Sequence, residues 1–441
     1  MKRIWILILA LGLVAAACGD GGDVADDTAT TTLGGDTTTT EAVDEETTTT
    51  TEEEPEATTI RYFTFSAAPD NLEVLDEMIG AFEAENPDVT VEVETAPFDE
   101  YFSVLQTQVA GGDAPDAFEL NFENFVAFAE NGTLADLGPF MADDADLDTS
   151  AYYQPALNAF GIDGTQYGLP ESYSTVMLFY NKALFDEAGI DYPTDDWTWD
   201  DERAAAEAIA ALGDDTWGFF AGIQFWEFYK TAFQNGCTFF TDGEVTLNES
   251  GCVEALEYML SYVEDGLQPT AAEMGGVSDG DMFLNGQIGQ LTTGIWMFGA
   301  FADAPFDWDV VVEPGNVQGG SHFFANGVAV SATSDKQDAA YRWIRFFTSS
   351  PESAELRVDA AWELPTLTDT SLYDSYLSQT PPENRQAVLD SLENVVVPPA
   401  IERQAEMQDI INGLLEQAVA GELTAQEALD QAAEQVAALL E

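Results

Sequence analysis

The sequence predicts an α/β fold built on mostly parallel sheets flanked by helices, and three observations predict it. From Ile60 onward, short β-rich runs alternate with stretches of helical periodicity. Hydrophobic residues make up 46% and aromatics 12%, enough for a large packed core despite 82 acidic residues against 12 basic. The length of 441 residues suggests two domains rather than one.

The chain opens with Met1-Lys2-Arg3, then an unbroken apolar run from Ile4 to Val14, then Ala15-Ala16-Ala17-Cys18. Eleven apolar residues are too few to span a bilayer, which needs about 20. A basic start, a short apolar stretch and small residues read as a secretory signal over 1–18. The cysteine makes it resemble a bacterial lipoprotein signal, in which Cys18 would be lipidated and become the mature N-terminus. Ala15 stands where that pattern usually has leucine, and an ordinary signal with an incidental cysteine is the alternative. Residues 19–59 hold 13 Asp/Glu, 15 Thr and no Lys, Arg or aromatic residue. Such a segment cannot bury enough apolar surface to offset its ordering entropy and is expected to be a disordered acidic tether.

Ile60 to Phe65 reads as a buried first strand. Asn71 to Glu85 carries apolar residues at 72, 75, 78, 79 and 82, a helical stripe that Asn86-Pro87 ends. Val89 to Val93 alternates as a strand. Tyr101 to Ala110 is helical and closed by Gly111-Gly112. Ala117 to Leu120 is a short strand, and Ser174 to Asn181 a further β-rich run. A helix starts at Thr198 and runs to Leu212, with Asp200, Asp201 and Glu202 at its positive end. Val253 to Val263 is helical and stops at Gly266. Val310 to Val312 and Gly327 to Ser331 read as strands, and Ser334 to Thr348 as a helix. Ser350-Pro351 opens the next helix with proline in its first position. Thr424 to Glu427 is a capping box before a closing amphipathic helix.

The composition excludes several function classes. Residues 60–441 keep 69 acidic against 10 basic residues, a charge near -59. A nucleic-acid partner needs clustered Lys and Arg, and this field repels a polyanion. One histidine and three cysteines are poor provision for zinc or haem, and no cofactor is expected. No phosphate-cradling glycine loop and no nucleophile elbow is present. Asp143, Asp144, Asp146 and Asp148 suggest calcium, but counting from Asp144 the loop glycine position holds Thr149 and the final glutamate position Pro155. Cys237 and Cys252 lie 15 positions apart around the turn signal Thr241-Asp242-Gly243-Glu244. In an exported chain they are expected to pair; two free thiols are the alternative.

Taken in order, a series of segments resembles the family 1 extracellular solute-binding proteins of ABC importers, the maltose- and oligosaccharide-binding type. They are Phe82-Glu83-Ala84-Glu85-Asn86-Pro87-Asp88-Val89, Ala114-Pro115-Asp116-Ala117, Gly132-Thr133-Leu134-Ala135-Asp136-Leu137, Tyr167-Gly168-Leu169-Pro170 and Leu178 to Phe185. The Trp199-Asp200-Asp201 helix start, Asp281-Met282-Phe283 to Trp296, and the Gly327 to Phe347 strand–helix unit follow. The resemblance covers nearly all of 60–441. It implies a two-lobe periplasmic-binding-protein-like fold with a ligand cleft between lobes and hinge crossings near 170–173, 315–321 and 362–366. Lobe one would be 60–170 plus 316–362, and lobe two 171–315 plus 363–441. It also implies a monomer that captures a small-molecule carbohydrate and delivers it to ABC permease subunits. The chain would be exported and lipid-anchored to the outer face of the cytoplasmic membrane.

Candidate ligand contacts follow from both readings. Sheets of this class bind ligands beyond the carboxyl ends of their strands, which singles out Phe65, Ser66, Glu119 and Asn121. Asp116, Glu171, Tyr173 and Glu363 sit at other strand ends or crossings. An aromatic plate packs on a sugar's C–H face while carboxylates and amides bond its hydroxyls. The resemblance favours Trp296, which follows the strand Gly289 to Gly294. Trp226 and Trp362 are further candidates; Trp197, Trp199, Trp217, Trp308 and Trp343 read as structural. His322, in a crossing loop, is expected to hydrogen-bond the ligand. Two alternatives stay open: a cationic, polyamine-like solute boxed by aromatics and carboxylates, and a secreted glycoside hydrolase using two of the many carboxylates.

Overall fold

A computed structural model describes residues 57–399 and 401–440. The export segment with Cys18, and the tether up to residue 56, lie outside the described residues. The last tether positions do not belong to it. Strand β1 starts at Thr58, whose N–H donates to Asp88 O, so parallel pairing extends the sheet into the threonines.

The strands that build the two main sheets are β1 (Thr58–Thr64), β2 (Val89–Thr95), β3 (Ala117–Asn121), β4 (Gly168–Ser174) and β5 (Val176–Asn181). They continue with β6 (Gln290–Gly294), β7 (Trp308–Val311), β8 (Phe324–Val330) and β9 (Leu364–Pro365). The first sheet has six strands in the order β9-β4-β8-β3-β1-β2, and the second three in the order β6-β5-β7. The chain steps from one sheet to the other at Thr175, between β4 and β5.

The strand directions depart from the expected mostly parallel sheets. In the first sheet only β1–β2 and β1–β3 run parallel; β8 is antiparallel to both β3 and β4, and β9 to β4. In the second, both neighbours of β5 are antiparallel to it. Connectivity explains this. Strand β4 carries the chain out towards the second sheet and β8 carries it back. Strands that leave and return through one junction must oppose each other.

Seven of the eleven helices named here fall where the sequence predicts them; Phe122–Glu130, Phe225–Gln234, Thr370–Ser378 and Gln404–Val419 were not predicted. Helix α1 (Pro69–Glu85) buries Leu75, Met78, Ile79 and Phe82, the predicted stripe. Helix α2 (Phe98–Gly111) ends on Gly112 at φ 74°, a left-handed cap that glycine adopts without strain. Helix α3 (Phe122–Glu130) follows β3 directly. Helix α4 (Trp199–Ala210) begins with a capping box between Thr198 and Asp201. Helices α5 (Phe225–Gln234) and α6 (Ser250–Glu264) are joined by the Cys237–Cys252 disulfide, as expected. Helix α7 (Gln337–Ser349) sets Trp343 against Tyr62 and Phe82, and Ser350 caps α8 (Pro351–Asp359). Then come α9 (Thr370–Ser378), α10 (Gln404–Val419) and α11 (Ala425–Leu439), whose capping box Thr424–Glu427 is in place. No helix among the described residues is long and apolar enough to cross a membrane.

Candidate functional site

Three predicted glutamates come together below the surface: Glu119 within β3, Glu171 within β4 and Glu363 just before β9. Glu119 Oε2 accepts from Thr64 Oγ1 at 2.5 Å and from the Phe65 amide at 3.2 Å, and Ser66 N–H caps the same threonine hydroxyl. Glu171 pairs with Arg357 at 3.2 Å, both fully buried. Glu363 accepts from Ser172 Oγ at 2.5 Å and from Asn326 Nδ2 at 3.3 Å. Burial pushes the Glu119 carboxyl well above the usual carboxylate range, and the neighbouring Glu171 and Glu363 push it further. Burial raises Glu363 as well. Trp362 is buried, with the Arg357 guanidinium 4.4 Å from its ring centroid. Ala361 and Glu363 on either side adopt φ of 53° and 55°, a left-handed conformation that costs non-glycine residues about 1–2 kcal/mol each. Glu171, Glu363 and Trp362 therefore bond inward at the junction of β4, α8 and β9, while Glu119 ties β3 to the end of β1.

The aromatic candidates form a second group. Trp296 is 44% exposed. Its ring centroid lies 5.9 Å from that of Phe324, which lies 5.9 Å from that of Trp226. Phe324 stacks on His322 at 4.8 Å and 20°. The histidine is fully buried on a short strand paired with Val395–Val396, not in a loop as expected. Its Nε2 lies 3.4 Å from Glu227 Oε2 and its Nδ1 2.7 Å from the Tyr229 hydroxyl. A carboxylate only accepts, so Nε2 carries the hydrogen and Nδ1 accepts from Tyr229. Both ring nitrogens are thus engaged inside the protein, and His322 serves as the backing of Phe324. Burial holds its pKa below the usual histidine value. Burial opposes ionisation of Glu227, but the adjacent Lys230 ammonium and the His322 bond outweigh it and hold the carboxyl at about 2. Lys230 also pairs with Glu313, so a single ammonium lies between two buried carboxylates beneath the aromatic group.

The remaining predicted residues are dispersed around these groups. Phe65 meets Phe98, Tyr101 and Phe102 edge-on or tilted, and Phe98, which sequence reasoning missed, is 51% exposed. Tyr173 shares a 2.5 Å hydrogen bond with Tyr373 and stacks on Tyr153 at 4.8 Å. Asn121 caps α3 through the Asn124 amide. Asp116 stands at the opposite end of β3 from Asn121. It binds the Arg61 amide, Ser334 and Lys336, and so fixes the approach to α7. Phe324 was also missed; it adjoins the predicted Gly327–Ser331 strand, which in fact begins at Phe324 because Phe324 and Ala325 pair with Ser174 and Tyr173.

Of two cavities, the first reaches Glu227 and Glu313 beneath the aromatic group and the second lies apart from it. One of about 20 Å³, room for about one water, is lined by Trp199, Glu202, Gln234 and Glu313 among others. The other, of about 560 Å³, opens beside the start of β2 around Phe140, Tyr341 and Arg345. Neither is bounded by the exposed aromatic rings, which offer an open surface.

Two sheets linked at a crossing, with aromatic rings exposed at the strand ends, define the class of a two-lobe solute-binding protein. Residues 68–354 match the model of the bacterial extracellular solute-binding protein family, and this chain belongs to that family. In structure it is similar to an ABC substrate-binding protein of Listeria monocytogenes in complex with cycloalternan. The two share 44% identity over 87% of this chain and 99% of that one, with a TM-score of 0.85. It is also similar to the cyclic alpha-maltosyl-1,6-maltose binding protein of Arthrobacter globiformis, at 25% identity over 87% and 99% with a TM-score of 0.72. A sequence relative is the maltodextrin-binding protein of Bacillus subtilis, 23% identical over 83% of this chain and 87% of that protein. The family and these relatives are binding proteins rather than enzymes.

Proposed function

We propose that this chain is the capture component of an ABC importer for a neutral oligosaccharide. The observation that carries the reading is the exposed Trp296 plate beside Phe324 and Trp226. An indole face gains from the C–H face of a pyranose and asks for no charge. The nearby carboxylates bond inward: Glu227 to Lys230 and His322, and Glu119, Glu171 and Glu363 to internal partners. A cationic solute would want a free carboxylate beside the rings. The likeness to the cycloalternan-bound Listeria protein points the same way.

In this reading lobe one is 60–170 plus 316–362 and lobe two 171–315 plus 363–441, and closure around the sugar presents the complex to the permease subunits. Closure needs contacts from both lobes, because a ligand shifts a population only through differential affinity. Phe65 and Phe98 on one side and Trp296 and Trp226 on the other are the facing contacts. The protein is exported as a monomer and held by lipid at Cys18 through the acidic segment that begins at residue 19 and ends before β1. The bound sugar leaves unaltered.

Titration calorimetry against cycloalternan, maltotriose, arabinotriose and spermidine tests this. Saturable binding of an oligosaccharide, recovered intact by mass spectrometry, is expected. Binding of spermidine alone, or cleavage of the sugar with turnover, would sink the proposal.

A further inference from the structure

Gly294 ends β6 and pairs with Val176 of β5, one residue past the step between the sheets. Its backbone, at φ -95° and ψ 167°, is extended, a conformation open to any residue. No turn and no positive φ demands glycine here. The requirement comes from elsewhere. A Cβ built on Gly294 would lie 2.0, 2.1 and 2.2 Å from Cζ3, Cη2 and Cε3 of Trp296. Three consecutive ring atoms at nearly one distance mean that the benzo face of the indole, rather than its edge, rests on the glycine.

We infer that Gly294 is the positioning residue of Trp296: it seats the indole by having no side chain, and so fixes which face of the plate a ligand meets. The inference rests on the carbohydrate reading for its binding consequence, though not for the contact itself. One face of the indole is taken by the Gly294 backbone, and 44% of the residue stays exposed. Carbon atoms in contact sit about 3.5–4.0 Å apart, so a methyl at 294 would drive the ring off by more than about 1 Å. The ring cannot yield by bending. Its own backbone is held in the short turn Ile295–Met297, anchored by the Ile295 amide on Thr175 O at 3.2 Å. It must swing about its side-chain torsions, which also breaks its 5.9 Å approach to Phe324. A plate displaced this far loses the contact geometry that aligned stacking needs.

The test is a double-mutant cycle on the full mature chain, with cycloalternan and maltotriose as probes. Gly294→Ala should raise the Kd at least tenfold while far-UV circular dichroism stays native. Trp296→Ala should raise it to a similar degree. Gly294→Ala added to Trp296→Ala should cost less than a further twofold, because the ring it displaces is gone. A Gly294→Ala protein with Kd within twofold of wild type overturns the inference. So does a double variant that loses tenfold again, since glycine would then act through the fold. If Gly294→Ala alone does not fold, Gly294→Ala/Trp296→Ala must fold, and its failure to do so also counts against the inference. Thermal melts give a ligand-free arm: the Tm loss caused by Gly294→Ala should shrink when Trp296 is alanine. A wild-type protein that binds neither probe speaks only against these two sugars as its ligand, and this arm still judges the seat.

Discussion

Arg357 lies inside the protein and answers Glu171 directly while its guanidinium rests against the Trp362 and Phe347 rings. Two further carboxyls, Glu119 and Glu363, interact with the same group of charges. Removing one partner of a buried pair leaves an uncompensated charge, so Arg357→Ala should destabilise by about 3–5 kcal/mol in denaturant melts. Adding Glu171→Gln should restore part of that loss; no recovery would mean the cost is packing on Trp362. Glu202 makes a separate, pH-dependent case. Burial lifts its carboxyl to about 7, against the pull of Tyr258 and Tyr262, which donate to it, and of Lys230 nearby. The folded pKa is raised above the unfolded value near 4.5, so the folded state binds the proton more tightly. Its contribution is fully present below about 4.5 and is lost as the pH rises through about 7. Glu202→Gln should therefore flatten the fall of Tm between pH 5 and 8, read by calorimetry against wild type. An unchanged slope would assign that fall to other groups.

The α5–α6 unit is tied by Cys237–Cys252, which closes 15 residues around a turn where Asp242 and Gly243 take φ of 51° and 85°. Closing a loop of this length is worth about 3 kcal/mol in the chain-entropy model. The Cys237→Ser/Cys252→Ser variant should lose roughly that much in urea melts, and reduction of wild type should match it. This element was legible because its signals are local: a glycine turn, two cysteines and a helix-length apolar stripe. The helix start at Thr198, the capping box at Thr424 and the Gly112 stop were legible for the same reason. Strand direction was not, because it depends on where the chain leaves and re-enters a sheet, which no local pattern records. Depth was not legible either. The sequence reading set Glu119 and Glu171 at strand ends or crossings; in the fold both lie within their strands, and each finds an inward partner. Phe98 and Phe324 were missed because, in a chain with 28 phenylalanines, exposure is decided by tertiary neighbours. Gly294 carried no backbone signal at all.

Among the described residues, the few cations other than Arg385 are spent in local pairs, among them Arg61–Glu94, Lys182–Asp309, Arg203–Asp265, Lys336–Asp116 and Arg403–Glu406. With 69 acidic residues against 10 basic in 60–441, the surplus carboxylates repel one another at every stage, including any closure that brings two acidic lobes together. Salt shortens the reach of this repulsion from about 30 Å at 0.01 M to about 3 Å at 1 M. That fixes the sign of two measurements. The Tm should rise with sodium chloride across this range, because screening relieves more repulsion than it weakens exposed pairs worth about 0–1 kcal/mol each. The affinity for a neutral oligosaccharide should hold or tighten over the same range, because the sugar loses nothing to screening while closure becomes easier. A polycation would do the opposite, since its attraction to the acidic surface is the very interaction that salt removes. Calorimetric titrations of one preparation at 0.01, 0.1 and 1 M salt therefore separate the two ligand classes by sign. Affinity that collapses as salt rises would replace the neutral sugar with a charged solute, even if Trp296 proved to be its plate.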